Sequence, residues 1–231
     1  MSHVDISFAR TSDFEHVYEP DADSWLLIDS LTAEVQSGAI GRPTVALEIG
    51  CGSGAVITHL ALQLNARGQQ VPRQQLAVAP ATPSPSSSSS CAYFATDINP
   101  RAVRLAARTA AHNRVPHVEF VQTAFVDALL PRLARAVDVL VFNPPYVPTP
   151  PEEMNGCGIE RAWAGGARGR EVLDVLLPQI SVCWLDSDLA CWDTTASSLL
   201  YHLLIHHECS LHQTGDSLAA RRLLFDHGRR Q

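Results

Sequence analysis

Between Val45 and Ala55 the chain presents an apolar run, an acid and three glycines at alternate positions, Val45-Ala46-Leu47-Glu48-Ile49-Gly50-Cys51-Gly52-Ser53-Gly54, and then a helical pattern. No other stretch narrows the possible folds as far. Glycines there let the backbone turn sharply and let a ligand come close to it, where a Cβ would stand in the way. A strand, a glycine loop and a helix in this order open an α/β sheet whose ligands bind beyond the carboxyl ends of its strands. Dinucleotide sites space their glycines G-x-G-x-x-G and set a pyrophosphate on the helix N-terminus. The spacing here is G-x-G-x-G, and Glu48, just ahead of the first glycine, is placed to face a cationic group rather than a phosphate.

Two further strand ends extend this reading. Tyr93-Phe94-Ala95-Thr96-Asp97 is a short apolar strand ending in an acid suited to two ribose hydroxyls, with Asn99 and Pro100 as N-cap and first helical residue. S-adenosylmethionine carries an ammonium, a sulfonium and a ribose but no phosphate, which matches both acids. Val137 to Phe142 is apolar except for Asp138, as expected of a strand covered on both faces, and it stops at Asn143-Pro144-Pro145-Tyr146. Prolines cannot donate to a ladder and bias the preceding residue toward extended geometry, so the Asn143 side chain and the Pro144 carbonyl are held stiffly beyond the strand. If both accept hydrogen bonds from a target NH2, they aim its delocalised lone pair at a methyl donor and stabilise the charge that develops. Tyr146 offers a face for a flat target. Taken alone, the tetrapeptide fits equally well a proline-terminated strand with asparagine as a turn former. In sequence, the three pieces point to a Rossmann-like class I methyltransferase sheet of order 3-2-1-4.

The chain resembles the HemK/PrmC group of amino-methyltransferases, in its eukaryotic and archaeal branch. The resemblance rests on Val17-Tyr18-Glu19-Pro20-Asp21-Ala22-Asp23-Ser24, the glycine loop, Thr96-Asp97-Ile98-Asn99-Pro100, Asn143-Pro144-Pro145-Tyr146, Ala162-Trp163-Ala164-Gly165-Gly166 and Gly169-Arg170-Glu171-Val172. It covers most of the chain from Val17 to about Ile180. It implies methylation of a protein glutamine nitrogen, in the Gly-Gly-Gln loop of a translation release factor. It further implies a small zinc-binding activator subunit added along the strand from His117 to Thr123. Asn143, Pro144, Pro145 and Tyr146 are then the catalytic set. Asp23, Ser24, Glu48, Gly50, Gly52, Gly54, Asp97, Ile98, Ala124, Phe125 and Asn143 are the residues that would hold the cofactor. Relatives carry an acid and a bulky apolar residue after the third strand; this chain has Ala124-Phe125, with Asp127 three positions on. Adenine-amine or histone-lysine methylation, or a truncated non-catalytic relative, are the alternative readings.

Composition bears on the substrate. The formal charge of -7, with 17 basic residues that are all arginine, argues against non-specific attraction to nucleic acid. The six cysteines show no C-x-x-C pair or ligand spacing with histidine, so neither a metal site nor a disulfide framework is expected. Nothing approaches an unbroken apolar run of ~18 residues, and Met1 to Arg10 lacks the blocks of a secretory signal. An intracellular protein is expected, cytoplasmic and also nuclear.

Along the chain, residues 17–29 read as a lid over the cofactor, with Asp23 or Ser24 capping a helix that carries Trp25, Leu26, Leu27 and Leu31. A helix from Ala55 to about Leu64 precedes a disordered insertion over residues 66–90, rich in proline and serine. Trp163 and its glycine pair suggest a substrate wall. A helix from Gly169 to Leu177 is expected to end at Pro178. Residues 1–180 form the expected domain, and 181–231 an atypical tail without an obvious hairpin. Leu199 to Ile205 could be a fifth strand or a helix, and Ser217 to Phe225 a short helix. With such a tail, the strand leading to Asn143 would be an exposed apolar edge.

Overall fold

The computed structural model describes residues 3–69, 91–115, 117–154, 156, 158–183, 190–193 and 202–206. In chain order these form α1 (Thr11–Phe14), α2 (Ala22–Ser37), β1 (Val45–Ile49), α3 (Ala55–Gln69), β2 (Ala92–Asp97), α4 (Pro100–His112), β3 (Val118–Gln122), β4 (Val139–Phe142), α5 (Pro151–Met154), a 3-10 turn (Ile159–Ala162), α6 (Glu171–Cys183), β5 (Ala190–Asp193) and β6 (His202–His206).

The central strands β1 and β4 are covered on both faces. Every residue of β4 is buried. Its side chains alternate, as a pleated strand requires. Val139 and Val141 join Leu31 of α2, Ile57 and Leu60 of α3 and Ala106 of α4 on one face. Leu140 and Phe142 join Leu47, Leu129, Leu173 and Leu176 on the other. A fully buried leucine such as Leu140, at 1% exposure, contributes about 1.5–3 kcal/mol relative to an exposed one.

The sheet runs β3-β2-β1-β4-β6-β5, and its first four strands are parallel in the expected order. Register then sets the site. Ile49 of β1 pairs with Thr96 of β2 on one side and Phe142 of β4 on the other. The residues that follow these three, Gly50, Asp97 and Asn143, therefore leave the sheet side by side where its strand order reverses, the place where open α/β sheets bind ligands.

Several expectations are corrected. The N-cap of α2 is Asp21, extended at φ -115° and bonded to the Ala22 N–H, so Asp23 and Ser24 lie inside the first turn. α3 continues to Gln69, past Leu64 and into the start of the expected insertion. α6 continues through Pro178 to Cys183, so the proline removes one helical N–H without ending the helix. The rest of the insertion and the helix expected at Ser217 to Phe225 lie outside the described residues.

The tail differs most. β6 pairs antiparallel with β4, Val139 with His206 through Phe142 with Leu203, and β5 pairs antiparallel with β6. β4 is thus an interior strand rather than an exposed edge. The Leu203-Leu204-Ile205 run suits helix or strand locally; the open backbone ladder of β4 decides for strand, because its N–H and C=O groups would otherwise stay unpaired.

Candidate active site

At the carboxyl ends of β1, β2 and β4 lies a cavity of about 980 Å³. The wall formed by the glycine loop is mostly backbone. Gly50 and Gly52 have φ of +66° and +51°, and a Cβ on Gly52 would project into open space, so the loop leaves a cradle beside the cavity. Gly54 corrects an expectation, for it does not line the cavity: a Cβ there would stand 2.6 Å from Cα of Ala106, so its role is to let α3 pack against α4.

Two acids stand in this wall. Asp97 holds the loop in place, Oδ2 accepting from the Gly52 N–H at 2.9 Å and Oδ1 from the Asn99 N–H at 2.8 Å. Burial pushes its carboxyl up, against the pull of these backbone donors. Glu48 is buried, and its Oε2 accepts from the Ile57 N–H in the first turn of α3 at 3.0 Å. Its carboxyl lies well above the usual range because of burial, with the Ile57 N–H opposing and the charge of Asp97 adding to the rise. Among the described residues neither acid is in a salt bridge with a basic side chain. A buried acid beside a half-buried one, with no cation between them, is costly, and a cationic ligand would relieve Glu48.

Of the other expected cofactor residues, Asp23, Ser24, Ile98, Ala124, Phe125 and Asn143 all line the cavity. Phe125 takes φ +42°, rare for an aromatic residue, at the turn where β3 gives way to the following loop. Asp127, three positions on, is not part of the lining.

The opposite wall is built from side chains. Asn143 Nδ2 donates to Oδ2 of Asp23 at 3.0 Å, and the Tyr146 hydroxyl donates to the same oxygen at 3.3 Å. The Tyr18 hydroxyl donates to Asp23 Oδ1 at 3.2 Å. Burial and then the Asp23 charge push the Tyr146 phenol up to about 12, and the same two causes raise Tyr18. Asn143 Oδ1 is buried and has no hydrogen-bond partner among the described residues. Pro144 and Pro145 complete this turn of the lining.

The segment around Trp163 clamps the turn as well as walling the cavity. The Val147 N–H donates to the Trp163 carbonyl at 2.9 Å and the Gly165 N–H donates to the Val147 carbonyl at 2.8 Å. A Cβ on Gly169 would overlap the Tyr146 carbonyl. Sequence reasoning missed His16, Arg101, Arg161 and Val175 as lining residues. They carry no motif and reach the cavity only because of where their elements pack.

Comparison with known proteins agrees with this geometry. A family described as "UPF0020: RMKL-like, methyltransferase domain" matches residues 50–149, from the first glycine of the loop to beyond the tetrapeptide. The chain is 44% identical over 165 residues to methyltransferase HEMK2 of Mus musculus, covering 71% of this chain and 65% of that one. It is 33% identical over 182 residues to the eRF1 methyltransferase catalytic subunit mtq2 of Schizosaccharomyces pombe, covering 74% and 69%. A Methanocaldococcus jannaschii relative, named for protein N5-glutamine methyltransferase activity, is 32% identical over 158 residues, covering 68% and 61%. The chain spans somewhat less than two thirds of the length of the mouse and archaeal relatives.

Proposed function

Because the chain belongs to the HemK/PrmC-like methyltransferase family, we propose that it methylates the side-chain nitrogen of a glutamine, in the Gly-Gly-Gln loop of a translation release factor. The observation that carries this reading is the unpartnered, buried Oδ1 of Asn143, whose Nδ2 is tied to Asp23. A buried acceptor without a donor costs about 1–3 kcal/mol. A target that brings an N–H to this oxygen would remove that cost beside the nitrogen that reacts.

The residues present fit S-adenosylmethionine, on the open cradle at Gly52 and the two acids in one wall without a basic partner. Glu48, Asp97 and the Gly50–Gly52 backbone would hold it, with Ile98, Ala124 and Phe125 beside its base. When bound there it supplies an electrophilic methyl group. Asn143 Oδ1 and the Pro144 carbonyl accept from the two N–H bonds of the target amide, turn its lone pair toward that methyl and stabilise the positive charge the nitrogen gains. Tyr146 stacks on the amide plane. No strong base is required, since the methylated amide loses its extra proton to water.

The substrate assignment draws on the printed name of the fission-yeast relative, an eRF1 methyltransferase. The same reading includes a small zinc-binding activator subunit. β3 stands at the end of the sheet, which suits a partner that adds a strand to residues 117–123.

Transfer of labelled methyl from S-adenosylmethionine to purified release factor, with the activator subunit present, tests this reading. Label on the Gly-Gly-Gln glutamine that vanishes with Asn143→Ala is the expected result. A folded chain that binds the cofactor but labels no release factor would overturn it.

A further inference from the structure

Asp23, expected from the family resemblance to touch the cofactor, makes its bonds elsewhere. It is 5% exposed, and its carboxylate accepts from five donors: Tyr18 Oη, the Ser24 N–H and Ser24 Oγ at Oδ1, and Asn143 Nδ2 and Tyr146 Oη at Oδ2. None belongs to the glycine loop or to β2. Two of them are side chains of the tetrapeptide that faces the target.

An ionised carboxylate can only accept, whereas an amide has one accepting and one donating end. Facing Asp23, Asn143 must therefore present its nitrogen, because the reverse orientation would set two acceptors against each other at 3.0 Å. Its oxygen is then left on the other side, buried and unpartnered. Without a group of fixed sign at position 23 the amide could turn over. It would then offer an N–H to the target, and a donor cannot bind the NH2 group that has to be methylated.

We propose that Asp23 is a positioning residue that fixes the orientation of the Asn143 amide, and the place of the Tyr146 ring, so that the site accepts only targets that donate N–H bonds, such as a carboxamide nitrogen. This deepens the methyltransferase reading and rests on it for the identity of the target. The carboxylate comes from the first turn of α2, where the helix N-terminus favours negative charge. The same carboxylate holds Tyr18, so the segment ahead of α2 and the turn after β4 share one anchor.

The decisive variant is Asp23→Asn, which keeps shape but can offer either end of an amide to Asn143. In the full chain with its activator subunit, kcat on release factor should fall about a hundredfold while the dissociation constant for S-adenosylmethionine stays within about threefold. Asp23→Glu, which keeps the sign of the charge, should recover part of the lost kcat. Tyr146→Phe, which leaves the Asn143 bond intact, should lose less than Asp23→Asn. Unchanged kcat in Asp23→Asn, or a loss confined to cofactor affinity, overturns the proposal.

A readout without turnover separates this proposal from the activity itself. With 15N-labelled asparagine, the Asn143 side-chain NH2 should give a displaced, exchange-protected pair of signals in the wild type. Asp23→Asn should return that pair toward free-amide positions. An identical pair in both proteins overturns the proposal even if the wild type is active. A wild type that methylates no release factor yet shows the predicted change refutes the substrate assignment alone.

Discussion

The two walls of the cavity are built in opposite ways. The glycine-loop wall, proposed to hold the cofactor, is a backbone surface, drawn from the ends of two adjacent strands, with Asp97 pinned by the N–H groups of Gly52 and Asn99. The tetrapeptide wall, proposed to face the target, is a side-chain surface, in which Asp23 meets Asn143 across 120 residues of sequence. A wall made of backbone tolerates few substitutions, because what it needs is the absence of side chains. A wall made of side chains depends on the sign and direction of each hydrogen bond. Variants on the first should therefore change binding or folding, and variants on the second should change turnover.

The largest effect should come from the target side. Asn143→Ala removes the acceptor, so kcat should fall about 10²–10³-fold, while calorimetry shows nearly unchanged cofactor affinity. Equal losses in both would break the division between the walls.

Gly54→Ala should act on neither wall directly. At φ +76° with a Cβ 2.6 Å from Cα of Ala106, the substitution combines a left-handed backbone penalty with overpacking, together about 2–5 kcal/mol. A clearly lowered melting temperature is expected, and a wild-type melting curve would refute the packing role.

Titration sharpens the contrast. The carboxyls of Glu48 and Asp97 are raised above their ordinary values of 4.5 and 3.8. Holding the cationic group requires Glu48 to be ionised, and Asp97 accepts from both ribose hydroxyls only as a carboxylate, so cofactor affinity should fall as pH drops through these raised values, by at most about tenfold per pH unit for each proton taken up. Folding carries the opposite sign. A carboxyl with a raised folded pKa costs stability above that pKa, and the cost disappears below its unfolded value. Acidification should thus weaken cofactor binding while relieving these two groups. Calorimetry across pH, with proton uptake measured in buffers of different ionisation enthalpy, checks both signs; affinity independent of pH would remove these acids from the cofactor wall.

Ala124→Asp should give the smallest change. It returns to the cavity the acid that relatives carry after the third strand. One added hydrogen bond to the adenine amine is worth about 0.5–1.5 kcal/mol, a two- to tenfold tighter complex with unchanged kcat. Weaker binding would show that Ala124 does not adjoin the base.

The backbone-built wall was largely legible in the sequence, because Glu48-Ile49-Gly50-Cys51-Gly52 and Thr96-Asp97 are contiguous and glycine spacing has local conformational meaning. Even there Gly54 misled, since a glycine that admits a neighbouring helix looks the same in sequence as one that admits a ligand. The target wall was half legible. Asn143-Pro144-Pro145-Tyr146 announced itself, but the role of Asp23 did not, because a hydrogen bond over 120 residues has no signature in local spacing. The caps divide in the same way. Asn99 caps α4 as expected, its Oδ1 accepting from the Arg101 N–H at 2.9 Å, whereas the cap of α2 is Asp21 instead of Asp23 or Ser24.

What the sequence determined by itself was the order 3-2-1-4 and the identity of the residues emerging from β1, β2 and β4. Apolar runs that must be buried on both faces, broken by glycine and proline, leave little freedom in where a strand ends. What only the tertiary structure decided was the fate of the tail and the orientation of the amide. Leu203-Leu204-Ile205 became strand because the open ladder of β4 needed partners. Asn143 turned its oxygen away from Asp23 because a carboxylate can only accept. Both outcomes depend on groups that meet only when the chain has folded.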